Sequence, residues 1–381
     1  KRDATSVARL KAAGAIVLGK TNIHELSFGW TSNNLEFGAV RNPYDTTRIP
    51  GGSSGGTAVA VAARMAPLGV AEDTQGSIRV PAALCGIAGF RPTTGRYPND
   101  GTAPITPLFD QIGSHARQVA DLALFDAVVS GDDAPIMPAT MAGLRIGIDR
   151  SFYFAGLDAE VAALTESALA RLAAAGAVIV EAPVPGIDGV VPMAGAIQAH
   201  DVVPALERYL LESGAPVDFE TMFASVSTDV ATLLAQIGLR GAPSAITDDV
   251  YSVARDVMRP ALQQAIATWF ADLHIDAMLL PATMTPATPV GDDAYVDIGG
   301  RKVPFATAMA RNISPGSTLG LPSLVLPCGL TAGGLPVAIE LDGPAGSDRQ
   351  LLAIGMAVET VLGVLPSPII GGQTLGTFIE T

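Results

Sequence analysis

The chain has 381 residues, with 23 Lys and Arg against 37 Asp and Glu for a formal charge of −14, and 49% of it is hydrophobic. That acidic balance argues against nucleic acid or an anionic membrane as partner, since both need a basic face, and Glu181, Pro281 and Glu359 break every candidate for the ~18 apolar residues of a bilayer span. Cys85 and Cys328 are too few for a disulfide scaffold, so reduced thiols and a cytoplasmic setting are expected.

Taken in chain order, Thr5 to Ala13 has a short helical pattern through Val7 and Leu10 that Gly14 can close. Ala15-Ile16-Val17-Leu18 then reads as a buried strand ending at Gly19. A glycine–serine loop, Pro50-Gly51-Gly52-Ser53-Ser54-Gly55-Gly56-Thr57, leads into an Ala-rich helix over Ala58 to Met65. Val161, Leu164, Ala168 and Leu172 share a helix face; Gly176 stops that helix and Val178-Ile179-Val180 forms a strand. Residues 185–300 are less regular and predict loops and short helices that shape a pocket. Two apolar runs, 322–327 and 337–341, flank Ala332-Gly333-Gly334 as a hairpin. A last helix carries Leu351, Gly355, Val358 and Leu362 after Ser347-Asp348 as N-cap. Helix followed by strand, repeated, predicts an α/β fold with a sheet covered by helices.

The glycine–serine loop has several readings. A phosphate-cradling loop ends in Gly-Lys-Ser/Thr, and no lysine is present here. A nucleophile elbow, Gly-x-Ser-x-Gly, matches at Gly51-Ser53-Gly55 and at Gly52-Ser54-Gly56, but it should follow a buried strand, and the preceding 41–48 is polar and turn-like. The plain alternative is a flexible turn that leads a helix.

A second cluster changes the balance. Asp73-Thr74-Gln75-Gly76-Ser77-Ile78-Arg79-Val80-Pro81 follows, and then Cys85-Gly86-Ile87-Ala88-Gly89-Phe90-Arg91-Pro92-Thr93. Together with the first loop it resembles the amidase signature family, whose members hydrolyse carboxylic amides with a Ser–Ser–Lys triad. The likeness extends through 19–25, 41–45, 280–283, 321–327 and 334–337, nearly the whole chain outside the variable region. Pro81 to Gly86 and Arg96-Tyr97-Pro98 look most like bacterial enzymes that act on aryl-substituted amides. The resemblance implies one domain over 1–381 with a mixed central sheet sandwiched by helices, in which 185–300 is the variable, substrate-shaping part. It makes Ser77 the nucleophile and Ser53, behind a cis peptide bond, the proton relay. Backbone N–H groups of Thr74, Gln75, Gly76 and Ser77 would face the oxyanion. Asp73, Arg79 and Ser54 would support the two loops. No metal, nucleotide or flavin is implied, and the chain is expected as a monomer or homodimer acting on a small-molecule amide, carbamate or ester.

Two departures from the family pattern stand out. Gln75 occupies a position that is usually glycine; a positive φ there would strain it, or its side chain could narrow the acyl pocket or donate a hydrogen bond. The family's lysine is also missing: Lys1, Lys11, Lys20 and Lys302 lie outside its motif. The expectation is a copy of an active enzyme that lacks its N-terminal segment, with a non-catalytic homologue and an amidotransferase subunit working beside partner chains as alternatives. An α/β-hydrolase with His200 or His274 as base is a minor runner-up. His24, His115, His200 and His274 show no metal spacing and read as structural or exposed. Cys85 reads as a small buried packing residue, and Phe152-Tyr153-Phe154 as core that could alternatively line the acyl pocket.

Overall fold

In the computed structural model, which describes residues 2–237, 239, 245–291, 293–370 and 373–374, an eight-stranded sheet runs through the molecule. Its strands are β1 (Leu68–Asp73), β2 (Ala88–Arg91), β3 (Gln111–Ala116), β4 (Arg145–Ile148), β5 (Val178–Glu181) and β6 (Ala277–Pro281). After a separate pair, β7 (Tyr295–Ile298) and β8 (Arg301–Pro304), it is completed by β9 (Ser323–Leu330) and β10 (Pro336–Asp342). The spatial order is β1-β3-β2-β9-β10-β6-β4-β5. β4 runs parallel to β5 and β6, and the remaining neighbours are antiparallel. The sheet is therefore mixed, as expected.

The helices preceding β5 are α1 (Thr5–Ala12), α2 (Gly55–Ala62), α3 (Arg79–Cys85), α4 (Val119–Ser130), α5 (Arg150–Tyr153) and α6 (Ala159–Ala174). Those from residues 185–300 are α7 (Val190–Ser213), α8 (Phe219–Phe223), α9 (Thr228–Ile237), α10 (Asp248–Val253) and α11 (Arg259–Asp272). The last three are α12 (Phe305–Ala310), α13 (Ser314–Leu319) and α14 (Asp348–Leu362).

Side chains alternate across a strand, and β9 and β10 send their two sets into different cores. Leu324, Leu326, Ile339 and Leu341 pack with residues of α4, α6 and α14, including Leu122, Leu169 and Leu352. Val325 and Ala338 pack on the other side with Ala58 and Val61 of α2, and Val80, Ala83 and Leu84 of α3. Both faces of the central strands are covered. On the α3 side, β10 continues Ala338 with Glu340 and Asp342, both buried, so the sheet presents carboxyls beneath the helix that starts at Arg79.

Three sequence expectations are corrected. Ala15 to Leu18 is not a buried strand: Ile16 and Leu18 are 84% and 72% exposed, and the run pairs with no strand among the described residues. Without a neighbour to take its backbone bonds, apolar composition alone does not bury it. The described residues of 185–300 are largely helical rather than loops and short helices, with α7 reaching 24 residues. Ser347 precedes α14 but makes no side-chain capping bond, and the Asp348 carboxylate is taken up by the Thr93 amide and hydroxyl.

Candidate active site

The second cluster folds as strand, turn and helix. β1 ends at Asp73, α3 begins at Arg79, and Ser77 sits in the turn between them, 5% exposed. Gly76 takes φ +104°, a region that costs other residues strain. The preceding strand that the first loop lacks is thus present at the second.

The first loop is laid against the second. The Ser54 N–H donates to the Ser77 carbonyl at 3.2 Å. Gly51 has φ +83°, and a Cβ on it would stand 2.8 Å from Pro81 Cα, so the contact with α3 needs glycine. The Gly52–Ser53 peptide is cis, and Ser53 is 1% exposed. Ser53 is held through its carbonyl, which accepts from the His24 N–H at 3.0 Å. The Ser32 hydroxyl lies 2.8 Å from the Gly51 carbonyl and 3.0 Å from that of Ser53, and accepts from the Gly55 N–H at 2.9 Å. Ser32 is a clasp that sequence reasoning missed: in the polar run Thr31-Ser32-Asn33-Asn34 nothing distinguishes it. The Ser54 hydroxyl donates to the Glu72 carbonyl at 3.3 Å, tying the loop to β1.

Asp73 and Arg79 hold the turn from below. Asp73 accepts from the Gly76 N–H at 2.8 Å and the Ile78 N–H at 3.1 Å. Arg79 clamps the same carboxylate, Nη2 at 3.0 Å and Nε at 3.1 Å, and reaches Glu340 through Nη1 at 2.6 Å. Arg91 Nε stands 3.4 Å from Asp73. Burial opposes ionisation of Asp73, but the Arg79 and Arg91 guanidinium groups and the Gly76 amide outweigh it and hold the carboxyl well below the usual range. Burial pushes Glu340 and Asp342 upward, with repulsion between the two reinforcing the rise of Glu340. Thr74 is fixed through its hydroxyl, 2.7 Å from Asp110 and 3.1 Å from Glu72. Burial, then Asp110 and Asp73, raise the Glu72 carboxyl well above its ordinary value.

Gln75 has no positive φ, so the anticipated strain is absent; that conformation falls on Gly76. Its buried side chain does not stand free. Nε2 donates to Thr318 Oγ1 at 3.2 Å, Oε1 accepts from the Ser314 hydroxyl, and its main-chain carbonyl accepts from Trp30 Nε1 at 3.1 Å. The Gly76 amide is engaged by Asp73, whereas no hydrogen bond from the Gln75 or Ser77 amide is found among the described residues.

Other candidates fall elsewhere. Lys11, Lys20 and Lys302 are exposed, so none is a desolvated base. His115 is buried on β3 and donates from Nε2 to the Ile78 carbonyl at 2.7 Å. His200 pairs with Asp248 at 3.0 Å and stacks on Tyr251, and His274 is exposed. Cys85 is buried with its thiol toward the Pro50 carbonyl at 3.3 Å, and burial pushes that thiol far above its ordinary value. Tyr153 is wholly buried in a cluster with Phe109, Trp269 and Leu280, with Phe152 and Phe154 packed against it; the trio is core. A cavity of about 360 Å³ opens between Pro107–Leu108 and Asp201, Ala205 and Arg208 of α7, with Tyr251 on its wall. Neither Ser53 nor Ser77 lines it.

Comparison with known proteins agrees with this fold. The family model described as Amidase matches residues 1–352. Indoleacetamide hydrolase of Agrobacterium vitis is 43% identical over 94% of this chain and 77% of its own length. Mandelamide hydrolase of Pseudomonas putida is 36% identical over 97% of this chain and 74% of its own. A solved amidase superposes with a TM-score of 0.84 at 31% identity, covering 95% of this chain and 78% of the other.

Proposed function

The chain belongs to the amidase family, and from that premise we propose that it hydrolyses a carboxylic amide with an aryl or otherwise apolar acyl group through an acyl-enzyme on Ser77. The observation that carries this reading is the 3.2 Å bond from the Ser54 amide to the Ser77 carbonyl, which holds the two serine loops together. In the first step Ser77 Oγ bonds to the carbonyl carbon while its proton passes to Ser53, which relays it to a base. Negative charge collects on the carbonyl oxygen and is met by the Gln75 and Ser77 amides; removal of one such donor typically costs ~10²–10³ in turnover. Thr74 flanks that pair, and Gly76, whose amide serves Asp73, contributes the bend. The C–N bond then breaks as Ser53 returns a proton to the leaving nitrogen. Water attacks the acyl-enzyme, the acid departs, and Ser77 recovers its proton. The family resemblance gives the base to a lysine; the described lysines, all exposed, are not assigned that role.

Carbamates and esters present the same carbonyl geometry and are proposed as further substrates. No described helix is long and apolar enough to cross a membrane. Two free, buried cysteines suit a reducing compartment such as the cytoplasm, and a monomer or homodimer is proposed.

The test is fluorophosphonate labelling with peptide mapping, run beside ammonia release from aryl acetamides. Labelling on Ser77, and at least a thousandfold loss of turnover in Ser77→Ala with a smaller loss in Ser53→Ala, is the expected result. Label on another residue, or turnover that survives Ser77→Ala, overturns the proposal. Dependence on glutamine and on co-purifying subunits would show the amidotransferase reading instead.

A further inference from the structure

We propose that Gln75 is a positioning residue, whose carboxamide ties the turn before Ser77 to α13 and, through α13, to helix α11. The proposal rests on the hydrolase reading only for its effect on rate; the tie itself is geometric. Both ends of the carboxamide are used, Oε1 by the Ser314 hydroxyl and Nε2 by Thr318 Oγ1 at 3.2 Å. Ser314 and Thr318 lie one helical turn apart on α13, and the Thr318 hydroxyl in turn donates to the Ser314 carbonyl at 2.9 Å. The side chain therefore grips one face of a helix at two points.

The last residues of α13 are also held by α11. A helix leaves its last carbonyls without intrahelical partners, and here α11 supplies them. Arg259 Nε donates to the Thr318 carbonyl at 2.7 Å, and Gln263 Nε2 to that of Leu319 at 2.9 Å. Helix α11 is thereby connected, through α13, to the turn that carries the nucleophile, where the Gln75 carboxamide works beside the bonds from Arg79 to the Ile313 carbonyl and the Ser317 hydroxyl and from that hydroxyl to Asp73.

What the tie fixes is the direction of an amide. The peptide plane between Gln75 and Gly76 is pinned at both edges, its carbonyl by Trp30 and its N–H by Asp73. Thr74 is pinned through its hydroxyl by Asp110 and Glu72. The Gln75 N–H lies in the next plane back, bounded by the Thr74 and Gln75 Cα atoms, and the Gln75 carboxamide is the side-chain anchor of the second. Glycine at this position would provide no such anchor and would widen the backbone freedom of the turn.

The experiment uses Gln75→Ala and, from the other side of the same bond, Thr318→Val, read in two ways. Hydrogen exchange follows the amides of residues 74–78, and fluorophosphonate labelling follows the reactivity of Ser77; neither needs a substrate. Each variant should exchange faster across that turn, and labelling should slow about tenfold in Gln75→Ala, a partial loss of one donor's worth. Where amide turnover is measurable, kcat should fall by the same factor with KM within about twofold. The double variant should be little worse than Gln75→Ala alone, because both remove one connection. Wild-type exchange and labelling in Gln75→Ala, or a fully additive double variant, would overturn the proposal. If wild-type protein is not labelled and cleaves no amide, the hydrolase reading fails, and the exchange comparison still decides the tie. Should the Gln75→Ala chain fail to fold, Thr318→Val decides the tie by the same criterion: faster exchange over 74–78 supports it, and wild-type exchange overturns it.

Discussion

Asp73 and Glu340 both touch Arg79, yet the two carboxyls do different things. Asp73 accepts two backbone amides and two guanidinium nitrogens and stays ionised. Glu340 receives Arg79 through one oxygen, has no partner at Oε2, and is pushed upward by burial. Removing the charge from Asp73 leaves Arg79 and Arg91 under-compensated in a dry interior, and breaking a buried pair of this kind costs ~3–5 kcal/mol. Asp73→Asn should therefore lower stability in urea by about 3 kcal/mol at pH 7 and slow labelling of Ser77. Glu340→Gln, which preserves shape and removes a charge that is already disfavoured, should stay within about 1 kcal/mol of wild type. Equal losses in the two variants would contradict the unequal ionisation. Asp73 and Arg79 were legible because they stand in the motif around Ser77. Glu340 was not: in Val337-Ala338-Ile339-Glu340-Leu341 a charged residue between apolar ones reads as a solvent-facing strand position, and only the sheet's second covered face makes it internal.

At the level of elements, β3 lies between β1 and β2, and its packing leaves no room at Gly113. A Cβ there would come within 2.2 Å of the Phe90 carbonyl oxygen and 2.6 Å of Ile78 Cδ1. Backbone cannot yield as a side-chain tip can, so Gly113→Ala should destabilise by about 2 kcal/mol through overpacking. Gly195, inside α7, has open space where a Cβ would go. Gly195→Ala should stabilise by about 0.5–1 kcal/mol through helix propensity alone. Thermal or chemical unfolding of both variants checks the opposite signs. The same contrast explains which elements were readable. The β9–β10 hairpin follows from two apolar runs about a Gly-Gly turn, and α6 from its apolar period and Gly176. β1 was not recognised, because Leu68-Gly69-Val70-Ala71-Glu72-Asp73 ends in acids that pattern as loop. α7 was hidden by Gly195 and Pro204, and its burial of Val202, Val203 and Leu206 is a tertiary effect that outweighs local preference.

For the molecule as a whole, the formal charge of −14 counts every charged side chain alike, whereas acid response depends on which titratable groups the sheet buries. His115 is wholly buried, donates from Nε2 to Ile78, and has no partner for Nδ1. Burial pulls its pKa down to about 4, with the Ile78 carbonyl and the charge of Asp73 opposing the fall. A depressed value means that the unfolded chain binds the proton first. Histidine in the unfolded chain titrates near ~6.5, so the stability His115 contributes is complete above that pH. It is lost progressively as the pH falls toward about 4. Glu72, Glu340 and Asp342 titrate in the opposite sense, since burial raises them and they favour the folded state at lower pH. The total pH profile therefore mixes two signs, and the histidine's share is isolated only by difference. Between pH 7.5 and pH 5, wild type should lose about 2 kcal/mol more unfolding free energy than His115→Gln does. Urea midpoints of the two proteins across that interval measure it directly. Parallel curves would show that His115 is protonated as readily folded as unfolded, and would remove this buried imidazole as a source of acid sensitivity beside the Ser77 turn.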